Sequence, residues 1–437
     1  MPLHRQAMYG MMALQAFANY VTRGSLAPMI QYIVADLAMN DAQKAVLLGA
    51  FFPIFTPFQV VAGPLTQLFG GKRLLTLNLG GMAALLMLLP TCSRARGTGA
   101  MSACLAAIGV CQAVLVPAQG QLKRNWLTDG PERVWALRVM GLGNRVGYTA
   151  AAALVPWLAE RRGWRAVPYT LGGLIGVFGV AWQALATEHP APDPAPDAPA
   201  TEDKEPPEQG EEKPAAVAAK QKTMEWGIFR VPAVLGALLA HFASNNLGYL
   251  FILWTPTFYK DVLRTSQVMA GAYISFPMTV SIWLPFLVGA LENRMRSGGM
   301  PLLQIRKKMN LAGSVVQAVC TLLFAVSPTA LLACAANCGV QVGSSLQGSG
   351  YSANYYEVGG PDTALLYAVG NALASIPGLV LPPLGLLIFT RTGSYFPLFG
   401  LCAAITVSTG LLFQRVASLS SGRELLAERG RAGRKAA

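Results

Sequence analysis

Charged side chains are scarce in this chain of 437 residues. Asp, Glu, Lys and Arg make up 13% of the sequence, whereas roughly 25% is usual in soluble globular domains. Hydrophobic residues make up 53%, and the mean hydropathy is +0.42. So little charge cannot cover the surface of a soluble globule of this size, which excludes that class and predicts a polytopic membrane protein.

Paired cysteines and enzyme motifs are missing as well. The seven cysteines include no CxxC pair, and Cys334 and Cys338 lie one helical turn apart in an apolar run, where thiols behave as small hydrophobic side chains. We therefore expect free thiols and no metal site. The sequence has neither HExxH nor GxSxG, and its acids fall almost entirely outside the apolar runs, so we do not expect an enzyme.

Basic residues are concentrated between the apolar runs. A net charge of +13 could indicate a nucleic-acid ligand, but short basic clusters beside apolar runs are typical of membrane topology, and we expect no nucleic-acid partner. No cleavable signal or Ser/Arg-rich transit peptide precedes the first run, which we interpret as a retained signal-anchor.

Twelve apolar runs of helix length follow one another, separated by Gly, Pro and charge. At 1.5 Å per residue, each is about long enough to cross a hydrocarbon core of ~30 Å. The prediction is an all-α membrane protein with twelve transmembrane helices, which we number span 1 to span 12. Their predicted ranges are 7–35, 43–69, 74–91, 100–122, 136–159, 166–186, 229–256, 267–291, 303–327, 329–356, 363–389 and 395–416.

The region between spans 6 and 7 has a different composition. Residues 188–224 contain eight prolines, nine acids, four lysines and no aromatic residue, so they cannot bury a core and predict a disordered linker. We therefore divide the chain into an N-terminal six-helix bundle (1–187), this linker (188–224), a C-terminal six-helix bundle (225–416) and a basic tail (417–437).

The two bundles repeat each other in sequence. The segment that begins at Gly63 after span 2 corresponds to the segment that begins at Gly289 after span 8, at an offset of 226 residues. Gly143-Asn144 in span 5 corresponds to Gly370-Asn371 in span 11, at an offset of 227 residues. Duplicated halves of this kind usually flank a central site near the bilayer midplane and rock about it.

Span 1 carries one charge, Arg23, near its middle. A guanidinium at that depth costs between ~3 and ~17 kcal/mol unless it meets water, a counter-charge or a ligand. Read as a helix, the span places Gln15, Asn19, Arg23 and Gln31 on one face, which predicts a helix that lines a wet cavity. We interpret Arg23 as a ligand contact; the alternative is an arginine that snorkels to the interface or is paired inside the bundle.

Several segments, taken in order, resemble one transporter family. They are NYVTR at 19–23, GPLTQLFGGKR at 63–73, AHFASNNLGYLFILWTPTFYKDVL at 240–263 and SGYSANYYEVGGPDTALLYAVGNALASIPGLV at 349–380. The likeness covers nearly the whole chain outside the linker and the tail. It is to the major facilitator superfamily, and within it to the anion:cation symporter family of sodium/phosphate carriers, plastid phosphate carriers, sialin and vesicular glutamate transporters.

The resemblance implies two pseudo-symmetric six-helix bundles and secondary active transport of a small anion by alternating access. It also implies a gating motif at the ends of spans 2 and 8, carried here by Gly63, Gln67, Gly70, Lys72 and Arg73 and by Gly289, Asn293 and Arg294.

The chain departs from the family pattern mainly by losing charge. Thr22 stands where many members have an Asp, and Leu105 and Gln112 stand where span 4 commonly has an Arg and a Glu. Gln67 and Asn293 replace the acids of the gating motif, which should loosen the electrostatic latch of the family.

Polar residues at helical spacing mark the predicted substrate site. Two arginines without a carboxylate well inside a span need an anion, and the arginine fork suits phosphate or carboxylate oxygens. For the amides and hydroxyls the alternative is hydrogen bonding between helices, and for His241 it is a core histidine. The predicted site residues are Arg23, Arg145, Asn19, Gln112, Asn144, Tyr148, His241, Asn245, Tyr249 and Asn371.

The predicted function is transport of inorganic phosphate or an organic carboxylate, with Arg23 and Arg145 as anion clamps. Without a titratable acid in span 1 or span 4, Na⁺ symport, anion exchange and potential-driven uniport are at least as well supported as H⁺ symport. No other cofactor is expected, and we expect a monomer whose partners are the solute and the lipid bilayer. The alternative is a transport-inactive receptor or scaffold that binds an anion. The sequence does not indicate which membrane holds the protein.

The distribution of Lys and Arg predicts that both termini are cytoplasmic. The termini and even-numbered loops hold 23 of the 34 basic residues and the odd-numbered loops hold nine, and basic residues accumulate on the cytoplasmic side. Epitopes at residue 200 and at the C-terminus should therefore be reached by antibody only after the membrane is permeabilised. Labelling of either epitope from the opposite side in intact cells would overturn this orientation.

Overall fold

The computed structural model describes residues 3–95, 97–127, 131–190 and 225–436. These residues form twelve long helical segments in the order of the predicted spans. By length and composition, seven candidate membrane spans are found among the described helices. Because consecutive spans run in opposite directions, the chain termini and the even-numbered loops lie at one end, the terminal end, and the odd-numbered loops lie at the distal end.

The first half contains six spans, two of which are interrupted near the middle. Their bounds are Leu3–Asp36 for span 1, Asp41–Gly49 and Phe52–Phe69 for span 2, Gly71–Ala95 for span 3, Gly97–Ala113 and Leu115–Trp126 for span 4, Pro131–Arg162 for span 5 and Ala166–Leu185 for span 6.

The second half also has six spans, after a short 3₁₀ helix, Trp226–Arg230, and span 8 is continuous where span 2 is interrupted. Span 10 passes through a π-helical turn, Gly348–Ser352, and a 3₁₀ turn at Gly360–Asp362 leads into span 11. The bounds are Pro232–Asp261 for span 7, Gln267–Ser297 for span 8, Leu302–Ala325 for span 9, Ala330–Gln347 and Ala353–Gly359 for span 10, Thr363–Thr392 for span 11 and Phe396–Val416 for span 12.

Local signals in the sequence set several helix ends. Asn40 and Gln43 form a reciprocal capping box at the start of span 2, in which each side chain accepts the backbone N–H of the other residue. Span 11 ends at Thr392 and is capped by Gly393, whose φ of 68° lies in the left-handed region that glycine adopts without steric cost. These ends fix where the chain turns between spans.

Glycine lets the repeated spans approach closely inside each half. A Cβ at Gly143 of span 5 would collide with the carbonyl oxygen of Ala13 in span 1. A Cβ at Gly370 of span 11, the matching position, would collide with the hydroxyl of Tyr355 and crowd His241 of span 7. The repeated Gly-Asn pairs thus mark close packing of span 5 on span 1 and of span 11 on spans 7 and 10.

The two halves meet mainly along two seams, span 2 with span 11 and span 5 with span 8, and span 1 also contacts span 7. Toward the distal end, Gln31 Nε2 donates to Thr257 Oγ1 at 2.8 Å, and Lys44 Nζ lies 3.9 Å from an Asp261 carboxylate oxygen. The Phe52 ring fills the space beside Gly378. In the described residues, the polar contacts between the halves lie at the distal end or near the middle of the spans.

The first residue of the predicted linker is part of the first half. The Glu188 carboxylate accepts the backbone N–H groups of Gly71 and Lys72 at 3.0 and 2.7 Å. These are donors at the N-terminus of span 3, where helices leave N–H groups without partners and favour negative charge. Glu188 thus contacts the first half from just beyond the predicted boundary at 187. The rest of the linker prediction, from residue 191 to 224, lies outside the described residues.

The predicted basic tail contains a helix, Gly422–Ala436. Ser421 and Glu424 cap its start, since the Glu424 carboxylate accepts the Ser421 N–H at 2.9 Å. Arg423 Nε and Nη2 donate to both carboxylate oxygens of Asp362 at 2.5 and 2.6 Å, and Leu426 packs on Gly227. The helix therefore docks on the terminal end of the second half.

The close approach of spans 1 and 5 predicts a matched pair of glycine effects. Gly143→Ala should lower the melting temperature, because an overpacked core site costs ~1–3 kcal/mol. Gly141→Ala is the control, since a Cβ there meets nothing within 4 Å and alanine is worth ~0.5–1 kcal/mol over glycine in a helix. Thermal melts of both purified variants test this. Equal melting temperatures would contradict the described packing.

Candidate functional site

A polar cavity of about 320 Å³ lies between the two halves. It is bounded by spans 1, 2, 4, 5, 7 and 11, so both halves contribute side chains to its wall. Seven of the ten predicted site residues line it. The polar and aromatic lining residues are Tyr20, Arg23, Phe55, Gln59, Gln112, Tyr148, His241, Asn245, Tyr249, Asn371 and Ser375.

Arg23 is held in this wall by neutral groups. Its Nε donates to Gln112 Oε1 at 3.0 Å, and its guanidinium carbon lies 4.7 and 5.2 Å from the ring centroids of Phe55 and Phe51. Such ring faces attract a cation. In the described parts of the chain, Arg23 pairs with no carboxylate, and no Asp or Glu lines the cavity. The cavity therefore carries an uncompensated positive charge.

A chain of buried amides fixes the position of Gln112. Its Nε2 donates to the Asn19 carbonyl at 3.1 Å, and the Asn19 and Asn78 side chains exchange two hydrogen bonds at 3.0 and 2.9 Å. Gln15 donates to Asn78 at 3.0 Å and accepts from Gln119 at 2.6 Å. This network links spans 1, 3 and 4, and because its amides satisfy one another they hold the acceptor for Arg23 in a fixed place.

Asn19 does not line the cavity, contrary to the sequence prediction. Its side chain is 0% exposed, as is that of Gln15. Gln15, Asn19 and Arg23 lie on one face of span 1, but spans 3 and 4 cover that face at Gln15 and Asn19. The cavity begins one turn further along, at Arg23. Gln31, on the same face, bonds to Thr257 and Lys260 at the distal end.

His241 reaches the cavity from span 7 with one ring nitrogen engaged. Its Nδ1 lies 2.9 Å from the hydroxyl of Tyr355, and its ring stacks on Tyr351 with centroids 5.6 Å apart. Gly370 leaves room for this arrangement, since a Cβ there would meet both His241 and Tyr355. Since Nδ1 is engaged by Tyr355, the opposite edge of the imidazole ring is the one available to a ligand in the cavity.

A second cavity, of about 700 Å³, adjoins the first. Tyr148, Gly248 and Ile252 line both cavities. Asn144 and Arg145 line the second one rather than the first, so the structure separates the two predicted clamps into neighbouring chambers. Arg145 Nη1 donates to the backbone carbonyl of Ser281 in the other half at 2.8 Å. The rest of the second cavity's lining is largely apolar, with polar groups from Ser244, Gln317, Gln341 and Ser344.

The predicted gating motif of the first half lies at the terminal end of spans 2 and 3. Gly70 has a φ of 81° and joins the two helices, while Gln67 is exposed. The carboxylate that binds this turn is Glu188, which the sequence prediction assigned to the linker. The motif residues there are Gly63, Gln67, Gly70, Lys72 and Arg73.

The corresponding motif of the second half is held by a neighbouring residue. Asn293 and Arg294 are exposed, and Gly289 precedes them on span 8. Arg306 of span 9 donates to Glu292 at 2.7 Å and to Glu357 of span 10 at 3.0 Å. The sequence prediction missed this ion-pair cluster, although a basic run at the start of span 9 and an acid at the end of span 10 were visible signals.

Comparison with known proteins places this chain in one superfamily. A family model described as Major Facilitator Superfamily matches residues 12–305. A bacterial homologue of the human lysosomal transporter Spinster, in an inward-facing and unoccupied conformation, superposes with a TM-score of 0.65 at 16% identity and covers 98% of each chain. At this identity the likeness concerns the fold alone.

Curated relatives are transporters rather than enzymes. The uncharacterized transporter slc-17.2 of Caenorhabditis elegans is 27% identical over 367 residues, 80% of this chain and 72% of its own length. The human voltage-gated purine nucleotide uniporter SLC17A9 is 24% identical over 446 residues, 96% of this chain and 94% of its own length. The chloroplastic sodium-dependent phosphate transport protein 1 of Arabidopsis thaliana is 24% identical over 356 residues, 79% of this chain and 66% of its own length.

The twelve-span prediction is confirmed by this agreement of family model, fold and apolar helices. The chain belongs to the Major Facilitator Superfamily and is an integral, multi-pass membrane protein built from two six-helix bundles.

Proposed function

We propose that this protein is a secondary transporter that moves a small anion by alternating access, with Arg23 as the residue that binds the anion. The observation that carries the proposal is the charge of the central cavity. Arg23 meets amide and aromatic groups there, and in the described residues it has no carboxylate partner. Because arginine presents its donors as a planar fork, an oxyanion would supply both the missing negative charge and two aligned acceptors.

The substrate that fits this chemistry is inorganic phosphate or an organic carboxylate. Among the relatives, the human protein is named as a purine nucleotide uniporter and the Arabidopsis protein as a phosphate transporter, and both names refer to anions. The amide of Asn245 and the hydroxyls of Tyr148 and Tyr249 line the same cavity. These groups are placed to select among anions by hydrogen bonding, while Arg23 provides the attraction.

The arrangement of the halves supports movement about the cavity. The polar contacts of the distal end include the Gln31–Thr257 hydrogen bond and the Lys44–Asp261 ion pair. The two seams are equivalent to each other, since span 2 corresponds to span 8 and span 11 to span 5. Rocking of one half against the other would break these contacts and expose the cavity to the other side. We also propose that the terminal end faces the cytoplasm, because the basic residues are concentrated there.

The Arg23 prediction uses two substitutions that separate charge from geometry. Arg23→Lys keeps the charge but loses the fork and the Nε bond to Gln112, and should weaken anion binding at least about tenfold, ~1.4 kcal/mol. Arg23→Ala should abolish specific uptake. Binding is measured as the rise in melting temperature with added phosphate or carboxylate, which follows from mass action on the folded state.

The matched control is Arg306→Lys, at a half-buried arginine that does have carboxylate partners. It should lower the melting temperature of the empty protein without weakening anion binding. Wild-type anion affinity in a well-folded Arg23→Ala protein would remove Arg23 from the site. Counterflow of labelled anion in proteoliposomes separates transport from the alternative, an anion-binding receptor or scaffold, since a receptor would bind without exchange.

Coupling to protons is expected to be weak. Thr22 and Gln112 replace acids, and no carboxylate lines the described cavity, so a proton carrier would have to be His241 or the substrate itself. An inward pH gradient alone should therefore drive little accumulation, with Na⁺ symport, exchange or uniport as the proposed modes. Strong accumulation driven by the pH gradient that survives His241→Gln would show that another group carries protons.

A further inference from the structure

Arg145 joins the two halves through a single hydrogen bond. Its Nη1, from span 5 of the first half, donates to the carbonyl oxygen of Ser281 in span 8 of the second half at 2.8 Å. The hydroxyl of Ser281 takes no part, because it bonds back to the Met278 carbonyl at 2.6 Å. The acceptor is therefore a backbone carbonyl inside a helix, a group that is normally occupied.

A proline makes this carbonyl available. In an α-helix each carbonyl accepts the N–H four residues later, and four residues after Ser281 stands Pro285, inside span 8. Proline has no N–H, so the Ser281 carbonyl has no helical donor. A carbonyl of this kind buried among spans needs another partner, and the guanidinium of Arg145 supplies it.

Arg145 is a cation bound to a neutral acceptor beside a solute-sized space. It is half-buried, it lines the cavity of about 700 Å³ that adjoins the Arg23 cavity, and in the described residues it pairs with no carboxylate. The Ser281 carbonyl is neutral, whereas a phosphate or carboxylate group would add a charge–charge attraction and could accept two parallel N–H bonds from the guanidinium. An anion that entered this cavity would thus compete with the Ser281 carbonyl for Arg145.

We propose that the Arg145–Ser281 bond is a tie between the halves that the transported anion releases. The proposal rests on the proposed function. In the empty protein the tie holds span 5 against span 8 and resists rocking. When an anion occupies the cavity lined by Arg145, the Arg145 side chain turns from the Ser281 carbonyl to the anion. Span 5 then separates from span 8, and the halves move. The loaded protein then changes conformation faster than the empty protein, so exchange of anions outpaces net transport.

In the described residues, no charged hydrogen bond joins span 2 to span 11 at the level of the cavities; the charged contacts of Lys44 and Lys260 between the halves lie at the distal end. Span 2 is joined to span 11 by Gln59 Nε2, which donates to Ser375 Oγ at 2.9 Å. Both groups are neutral, so an anion gains no charge by breaking that bond. The response to an anion is therefore placed on the seam between spans 5 and 8.

The tie itself is tested in the empty protein by a double-mutant cycle. Pro285→Ala restores the N–H that occupies the Ser281 carbonyl, and Arg145→Met removes the donor and the charge at similar size. If the tie exists, Arg145→Met should change the melting temperature differently in the wild-type and Pro285→Ala backgrounds. Pro277→Ala is the control, since it restores an N–H on the same span without reaching Ser281, and it should leave the Arg145→Met effect as in wild type.

The release is tested by fluxes of labelled inorganic phosphate in proteoliposomes. Exchange should exceed net efflux at least about tenfold in wild type, as expected when one charged hydrogen bond resists the empty return. Pro285→Ala should bring the two rates close together, and Pro277→Ala should keep them apart. Additive effects in the empty protein, or a gap that persists in Pro285→Ala, would overturn the proposal. Absence of any phosphate exchange in wild type, with the coupling in the empty protein intact, would count instead against phosphate as the substrate.

Discussion

A guanidinium buried between two helical bundles without a carboxylate is the constraint on which the rest of this structure depends. Burial of such a charge is costly unless the surroundings compensate it. Here Gln112 accepts the Nε of Arg23 at 3.0 Å, and aromatic rings face the cation. These neutral groups hold the side chain in place but leave its charge available, so the site is prepared for a ligand that brings negative charge.

The amide network is the structural support for that arrangement. Asn19, Asn78 and Gln112 are each satisfied by one another or by backbone, and together they connect three spans. A carboxylate at position 112 would neutralise Arg23, whereas the amide keeps the same bonding geometry and gives no counter-charge. The loss of acids that distinguishes this sequence from its family pattern thus has a direct consequence in the cavity.

Apolar runs of helix length were sufficient to predict the twelve spans, because each span packs against apolar neighbours or lipid along its length. The repeated Gly-Asn pairs likewise predicted equivalent places in the two halves. Most of the cavity residues could be predicted from polar residues at helical spacing, and seven of the ten predicted residues line one cavity. Asn19 shows the limit of this argument: spacing defines a face of a helix, but the neighbours that cover that face are set by distant parts of the chain.

The parts that sequence reasoning missed depend on contacts between residues far apart. Glu188 binds the start of span 3, and Arg306 joins spans 8, 9 and 10. The Arg145–Ser281 bond depends on Pro285. The sequence alone shows a proline in an apolar run there and does not indicate which residue bonds to the carbonyl that the proline leaves free. The capping box at Ser421 and Glu424, by contrast, was a local signal from which the tail helix could have been predicted.

The central claim is that the anion binds beside Arg23. The most direct measurement is an anomalous difference map of crystals grown with arsenate, as an inorganic oxyanion, and with an iodinated benzoate, as a carboxylate. The account predicts a peak whose anion lies within hydrogen-bond reach of the Arg23 guanidinium, in the cavity between the halves. Peaks confined to Arg306, the tail helix or the outer surface would contradict it.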